Sequence, residues 1–116
     1  MTDRVKGARV VLRAVRSLLE DEERWTQGAI ARDSEGIPCE GDSSRAVSFC
    51  LTGAMNRVCG STDEAWGSGE MARDAVWDVV DSVNGYSPAA VNDHHEMTHA
   101  DLLWVLDIAL SILDKK

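Results

Sequence analysis

The sequence lacks any apolar run long enough to cross a bilayer. A membrane-spanning helix needs roughly 18 or more consecutive apolar residues, and no such run occurs in the 116 residues. The chain opens with Met1-Thr2-Asp3-Arg4 and continues as a charged amphipathic segment, which is not the pattern of a secretory signal. We therefore expect a cytoplasmic protein with no membrane partner.

Cysteine and proline are both scarce. There are two prolines and an odd number of cysteines: Cys39, Cys50 and Cys59. An odd count without an export signal predicts reduced thiols in place of a disulfide framework. Hydrophobic residues make up 44% of the chain and charged residues 28%, which is an ordinary globular composition. The length suits one domain, residues 1–116, with one modest core.

Basic residues are few outside the first helix. Residues 1–19 hold five basic side chains and one acidic side chain, a net charge of +4, whereas residues 20–116 hold seven basic and nineteen acidic ones, a net charge of −12. An acidic body repels nucleic-acid phosphates, so we expect no direct nucleic-acid partner. It suits a protein complex with a basic surface. The alternative is that a net charge of −8 only keeps the protein in solution.

Apolar periodicity predicts a mainly α fold, a single compact bundle of about four helices. The acidic run Glu20-Asp21-Glu22-Glu23 opposes the dipole of the first helix and should end it before Trp25. Gly67-Ser68-Gly69 should separate a short capped segment from the third helix. The second helix should be capped by Asp42 or Ser43. The four helices are predicted at residues 3–23, 43–59, 70–84 and 98–114.

One short β-hairpin is predicted between the first two helices. Asp33-Ser34-Glu35-Gly36 has turn chemistry, and Gly36 can supply the positive φ that such a turn requires. Ala29–Arg32 and Ile37–Cys39 flank the turn as strands, and Pro38 confines the second strand to an edge. A loop of this length in a small domain often carries function.

The string His95-Glu96-x-x-His99 has two interpretations that exclude each other. On a continuous helix, His95 and His99 would hold zinc, and Glu96 would act as the base of a hydrolase. However, Thr98 and Asp101 resemble a capping box, and an N-cap at Thr98 would leave His95 in a loop. We prefer the capped helix, and we therefore predict no catalytic residues, no bound metal and no cofactor. Cys50 is predicted about two turns inside the second helix, which disfavours a nucleophilic thiol.

The middle and end of the chain carry three motifs: Trp25-x-Gln27-Gly28-Ala29-x-Ala31-Arg32-Asp33, Phe49-Cys50-Leu51-x-Gly53-Ala54, and Asn92-Asp93 followed by Thr98-x-x-Asp101. With these motifs the sequence resembles a family of small uncharacterised proteins of bacteria, prophages and phages, whose function is unknown. The family pattern lacks His-Glu-x-x-His before the threonine, which argues against the zinc interpretation.

The polar positions that match the family are the candidate binding residues: Trp25, Gln27, Arg32, Asp33, Asn92 and Asp93. The hairpin loop and the loop before the last helix could meet and form one site. Alternatively, these side chains cap and turn the backbone, and we prefer that structural account. Trp66 and Trp77 are added as a candidate hot spot for a partner.

Three functions remain open. The first is a non-enzymatic phage-type accessory protein that binds and blocks a host complex, for example as an anti-CRISPR or other anti-defence inhibitor. It rests on the small size, the acidic charge and the lack of a credible catalytic set, together with the phage connection that the resemblance implies. The second is a small zinc-dependent hydrolase that uses His95, Glu96 and His99. The third is a structural, self-assembling helical subunit, for which a homodimer would use the tryptophans.

Overall fold

The structure is a computed structural model that describes residues 3–59, 65–84, 92–93 and 97–115, with side chains at 4–59, 70–80, 92–93 and 97–115. Four helices and a small sheet account for most of these residues, which confirms the predicted mainly α compact fold. The elements in chain order are α1 (Asp3–Leu19), a 3-10 helix (Glu22–Arg24), β1 (Ala31–Arg32), β2 (Pro38–Cys39), β3 (Ser48–Phe49), α2 (Leu51–Cys59), α3 (Ala65–Asn84) and α4 (His99–Asp114).

The core lies between the helices, and α1 is the element around which the others pack. It contacts α2, α3 and α4, and α3 contacts α4 in turn. One face of α1 is buried in this core, and its Leu12, Val15 and Leu19 are inaccessible to solvent. The largest inaccessible side chains from the other helices are Leu51, Val76, Val79, Val80, Leu102, Leu106 and Leu113.

Helix α1 ends earlier than predicted, and α4 begins where it was predicted to. Helix α1 was predicted to reach residue 23 but stops at Leu19, and Glu22–Arg24 form a separate 3-10 helix before Trp25. Thr98 is extended (φ −99°, ψ 163°), and its side chain accepts from the Asp101 N–H while the Asp101 carboxylate accepts from the Thr98 N–H. This is the predicted capping box, with Asp at the position that Glu usually takes.

The second helix is half as long as predicted. Residues 43–50 were expected to be helical, but α2 begins only at Leu51. The Val47 N–H donates to the Arg32 carbonyl, and Ser48–Phe49 forms a third strand instead. A short apolar run fits the periodicity of a helix as well as that of a strand. Here the run forms a strand because it pairs with the hairpin. Val47, which falls in the predicted helix, precedes this strand instead and is exposed.

Helix α3 is also different from its prediction. It runs unbroken from Ala65 through Gly67-Ser68-Gly69, where an interruption was expected. Two glycines inside a helix cost about 1 kcal/mol each relative to alanine, a cost that burying the apolar face of so long a helix offsets. The predicted cap at Ser61–Glu64 lies outside the described residues.

The predicted hairpin is present, and it is the centre of a three-stranded antiparallel sheet of order β2-β1-β3. Ala31 faces Cys39 on one side and Phe49 on the other. Gly36 has φ +80° in the turn, as expected. The sheet sits tightly on α2 because Gly53 has no side chain: a Cβ there would overlap the Ile30 carbonyl oxygen and lie 2.9 Å from its carbon.

Two arginines of α1 pair with aspartates of α4. Arg9 Nε lies 2.9 Å from Asp114 Oδ1, and Arg16 Nε lies 2.6 Å from Asp107 Oδ1. The hydrogen bond with Asp107 raises the pKa of Arg16 further above its ordinary value. Arg9 and Arg16 therefore face the aspartates of α4. In the described part of the chain, no helix combines the length and apolarity needed to cross a membrane.

Candidate functional site

Asn92 is the centre of a polar cluster that joins three distant segments. It is inaccessible to solvent and lies in a helical turn with Asp93. Its Oδ1 accepts from Trp25 Nε1 at 2.7 Å and from the Leu51 N–H at 3.0 Å. Its Nδ2 donates to the Thr26 carbonyl at 3.0 Å and to Asp93 Oδ1 at 3.0 Å. One side chain thus fixes the 25–28 loop, the start of α2 and its own turn.

Gln27 and Asp93 add a second set of bonds between the same segments. Gln27 Nε2 donates to the Asn92 carbonyl at 2.8 Å, and Asp93 Oδ1 accepts from the Gly28 N–H at 2.9 Å. Gly28 has φ +82°, a conformation that glycine adopts without strain. The structure therefore brings together four of the predicted residues, and we call them, with Thr26, the Asn92 cluster: Trp25, Thr26, Gln27, Asn92 and Asp93.

Arg32 extends from the Asn92 cluster towards the hairpin turn. Its Nε donates to Thr26 Oγ1 at 2.9 Å, one terminal nitrogen donates to the Gln27 carbonyl at 3.3 Å, and the other donates to the Gly36 carbonyl at 3.0 Å. The guanidinium is bonded to backbone and hydroxyl oxygens, so it holds the loop in place.

Asp33 does not pair with Arg32. Its Oδ1 accepts from the N–H groups of Glu35 at 2.9 Å and Ile37 at 3.0 Å, which is the local turn chemistry expected of an aspartate at this position. Arg32 and Asp33 therefore each hold the loop through backbone and hydroxyl groups, and not through an ion pair with one another.

Cys50 is placed differently from the prediction. It was expected two turns inside a helix, but it directly precedes α2, and the Gly53 N–H donates to its Sγ at 3.2 Å. Burial raises the pKa of the Cys50 thiol, against the opposing effect of hydrogen bonds from the backbone of Gly53 and Thr52. The thiol is buried despite its position at a helix start.

His99 is the first residue of α4, and its ring is bonded to the end of α1. Nε2 lies 2.6 Å from the Leu19 carbonyl oxygen, and because a carbonyl can only accept, this nitrogen carries a proton. The extended backbone at Thr98 prevents His95 and His99 from sharing one continuous helix. His95 and Glu96 themselves lie outside the described residues. Among the described side chains, no three His, Cys, Asp or Glu residues are grouped as metal ligands would be.

The tryptophans differ in their surroundings. Trp25 is partly buried with its ring centroid 6.0 Å from that of His99, whereas Trp77 on α3 is 49% exposed. Trp104 on α4 is 50% exposed, and the sequence prediction missed it, although its position off the apolar stripe of α4 could have indicated exposure. The side chain of Trp66 lies outside the described ones, so the proposed pair of tryptophans on one surface stays a prediction.

The fold and the Asn92 cluster define a small mainly α domain in which one polar cluster fastens a hairpin loop to the helices. The chain belongs to a family described as a family of unknown function (DUF6197), whose model matches residues 4–111. No curated protein and no solved structure matches the chain.

Proposed function

We propose that this protein acts by binding another protein, and that the outer face of α3 around Trp77 contacts a basic surface of that partner. The observation that carries the proposal is the half-exposed indole of Trp77 among carboxylates. Tryptophan is enriched among the residues that dominate binding energy at protein interfaces. The polar side chains of the Asn92 cluster, in contrast, are bonded to one another and to the backbone.

The carboxylates around Trp77 are placed by helix geometry. Glu70 lies two turns before Trp77 and Asp74 one turn before it, so both share its side of α3, and Asp78 is adjacent. All three are exposed, and within the described part of the chain none has a hydrogen-bond or ion-pair partner. Arg73, four residues before Trp77, is on the same side of α3, but its guanidinium donates to Asn56 Oδ1 at 3.1 Å.

This arrangement favours a cationic partner for two reasons. An arginine or lysine over an indole face gains a cation–π interaction worth about 0.5–2 kcal/mol, and the free carboxylates add charge-assisted hydrogen bonds. The net charge of −12 over residues 20–116 accelerates encounter with a basic surface.

The narrowest form of this proposal is inhibition of a bacterial host complex, such as the anti-CRISPR activity of a phage accessory protein. Complexes that hold nucleic acid present basic channels to phosphate groups. A small acidic protein could occupy such a channel. The acidic surface and the resemblance to phage and prophage proteins support this narrower form.

The test is capture of bacterial lysate proteins on the immobilised wild-type chain and on two matched variants, Trp77→Ala and Trp104→Ala. Each variant removes one tryptophan of equal exposure. We expect wild type and Trp104→Ala to capture one stoichiometric partner. Trp77→Ala should capture at least about tenfold less of that partner, as for a hot-spot residue. Circular dichroism of each variant provides the folding control.

Charge is tested separately with Asp74→Asn and Asp78→Asn, which keep the side-chain shape. Both variants should weaken capture, and high salt should release the partner because it screens exposed charges. Equal capture by Trp77→Ala and wild type would overturn the proposal. No specific partner, together with a self-associated chain, would favour the assembly alternative.

A further inference from the structure

We propose that Asn56 is a positioning residue for the surface around Trp77. It holds the Arg73 guanidinium against α2 and so keeps the indole of Trp77 open to a cation of the partner. The inference rests on the proposed function, because it concerns how that surface is kept available. It assigns a role to a residue that is on a different helix from Trp77.

Arg73 is the chain's own competitor for the indole of Trp77. The two residues lie one turn apart on α3, a spacing at which helical side chains meet, and both are exposed. Because helical side chains are directed towards the N-terminus of their helix, the indole is directed towards the turn that contains Arg73. A guanidinium over an indole face gains a cation–π interaction, so Arg73 could occupy the place of the partner's arginine or lysine.

The structure shows Arg73 in another position. Its Nη2 donates to Asn56 Oδ1 at 3.1 Å, and Asn56 is on α2. Among the described residues, no cation lies over the ring of Trp77. Burial raises the pKa of the Cys59 thiol and the charge of Arg73 opposes this shift, so the guanidinium also lies near the last residue of α2.

Two properties of α2 favour this position of Arg73. Helix α2 ends at Cys59, so Asn56 is in its last turn, where the negative end of the helix dipole stabilises a cation. Asn56 is half-buried, which limits the freedom of its side chain and places the amide oxygen as a fixed acceptor. Asparagine is a weaker helix former than alanine, and the bond to Arg73 offsets that disadvantage.

A guanidinium without this acceptor has two other partners on α3. One is the indole of Trp77, and the other is the carboxylate of Glu70, which lies three residues before Arg73 and is exposed. The first contact covers the indole, and the second neutralises a carboxylate of the same surface. Either contact lowers the affinity of the surface for a cationic partner.

The test is an NMR titration of the ¹⁵N-labelled full chain with a short amidated peptide that contains arginine. The indole N–H of Trp77, assigned with Trp77→Phe, reports binding. We expect Asn56→Ala to weaken the peptide about threefold, the ratio that corresponds to a cation–π interaction at an exposed site. Asn56→Asp keeps an acceptor for Arg73 and should bind the peptide at least as tightly as wild type.

A double variant and its matched control separate positioning from charge alone. Asn56→Ala with Arg73→Gln removes the competing guanidinium, so binding should return at least to the wild-type level. Asn56→Ala with Arg57→Gln removes the same charge at a neighbouring exposed residue, whose guanidinium donates to the Ser43 carbonyl at 3.1 Å. This control should remain weaker than wild type, and thermal unfolding midpoints show whether each variant is folded.

The position of Arg73 can be measured without any ligand. Its δ-methylene protons should give nuclear Overhauser contacts with Asn56 in wild type. In Asn56→Ala they should contact the Trp77 ring or Glu70 instead. Because this measurement needs no partner, the inference and the proposed function can fail separately.

Several results would overturn the inference. Equal peptide binding by Asn56→Ala and wild type, or unchanged contacts of Arg73 in that variant, would exclude positioning by Asn56. Failure of Arg73→Gln to restore binding would show that the loss is structural, and equal restoration by Arg57→Gln would show that only net charge matters. Absence of binding at Trp77 in every variant, with Arg73 moved as expected, would overturn the proposed cation site on α3 but support the placement of Arg73 by Asn56.

Discussion

Asn92 takes part in four side-chain hydrogen bonds although no part of it reaches solvent. It stabilises the fold because removing it would leave buried polar groups without hydrogen-bond partners. The indole N–H of Trp25, the N–H of Leu51 and the carbonyl of Thr26 would lose their partner in a buried site. A buried polar group without a partner costs about 1–3 kcal/mol, so the cost of leaving several unpaired is large.

We expect Asn92→Ala to lower the free energy of unfolding by about 3 kcal/mol or more, measured by urea denaturation. The matched variant Asn92→Asp keeps the acceptor oxygen but loses the donor and places a carboxylate 3.0 Å from Asp93 Oδ1. Burial and Asp93 raise the folded-state pKa of the new carboxyl, so its stability should approach wild type as pH falls and decline as pH rises. A pH-independent difference would contradict this account.

The three cysteines are free thiols with different access to solvent. Burial raises the pKa of Cys59, as it does for Cys50, although Arg73 opposes the shift at Cys59. Because the thiolate is the reactive form, both should resist alkylation until the pH is well above the range in which an exposed thiol reacts.

We therefore expect iodoacetamide to modify Cys39 first in the native protein, at least about tenfold faster than the buried pair. In denaturant all three should react at similar rates. Peptide mass spectrometry over time measures this, with Cys39→Ser as the control that should remain almost unlabelled. Rapid native labelling of Cys50 would show that the start of α2 opens to solvent.

At the scale of elements, the contact between β1 and α2 depends on Gly53. Alanine is the better helix former by about 1 kcal/mol. Replacing an exposed glycine of α2 by alanine would therefore stabilise the protein. At Gly53 the added Cβ overlaps the Ile30 carbonyl oxygen, and the backbone of the sheet would have to move.

We expect Gly53→Ala to destabilise the protein by about 2 kcal/mol or more, as overpacking of a close contact does, with thermal denaturation as the measurement. Gly36→Ala is the matched control. An added Cβ at Gly36 meets nothing within 4 Å, so only its positive φ is strained, at a cost of about 1–2 kcal/mol. If the two variants lose the same stability, the steric account of Gly53 is wrong.

The elements also show what sequence reasoning can and cannot predict here. Long periodic segments such as α1 and α4 were placed correctly, and so were the capping box at Thr98 and the turn that ends at Gly36, because each of these signals is local. Strand β3 was missed because its partner β1 is sixteen residues earlier in the chain, and only the sheet distinguishes it from a helix start. Because β3 was missed, Cys50 was also predicted inside the second helix, whereas it directly precedes α2.

At the scale of the whole molecule, charge opposes self-association. Two copies with a net charge of −8 each repel one another, and α1, the basic part of the chain, pairs Arg9 and Arg16 with α4.

We therefore expect light scattering to give the mass of one chain, 12.7 kDa, over a wide concentration range at low ionic strength. Reversing the charge of one exposed side chain of α1 with Arg13→Glu should leave that mass unchanged. A concentration-dependent dimer that Trp77→Ala or Trp104→Ala abolishes would support the assembly alternative.

The candidate residues could be found from the sequence, but their arrangement could not. Trp25, Gln27, Asn92 and Asp93 were selected by their motifs, yet only the fold shows that a single asparagine oxygen serves both an indole and a helix start. Thr26 was overlooked because its backbone carbonyl and hydroxyl, not a recognisable motif, provide the contacts. Hydrogen bonds between residues more than forty positions apart leave no periodic signal in a single sequence.

The long separations within the Asn92 cluster also affect the order in which the protein folds. Apart from the bond between neighbouring Asn92 and Asp93, its bonds span 41 to 67 residues, so the chain must lose the entropy of closing large loops before they form. Helices α1 and α4 need only local contacts and can form earlier. We therefore expect the Asn92 cluster to form late in folding, so that its loss in Asn92→Ala speeds unfolding more than it slows refolding.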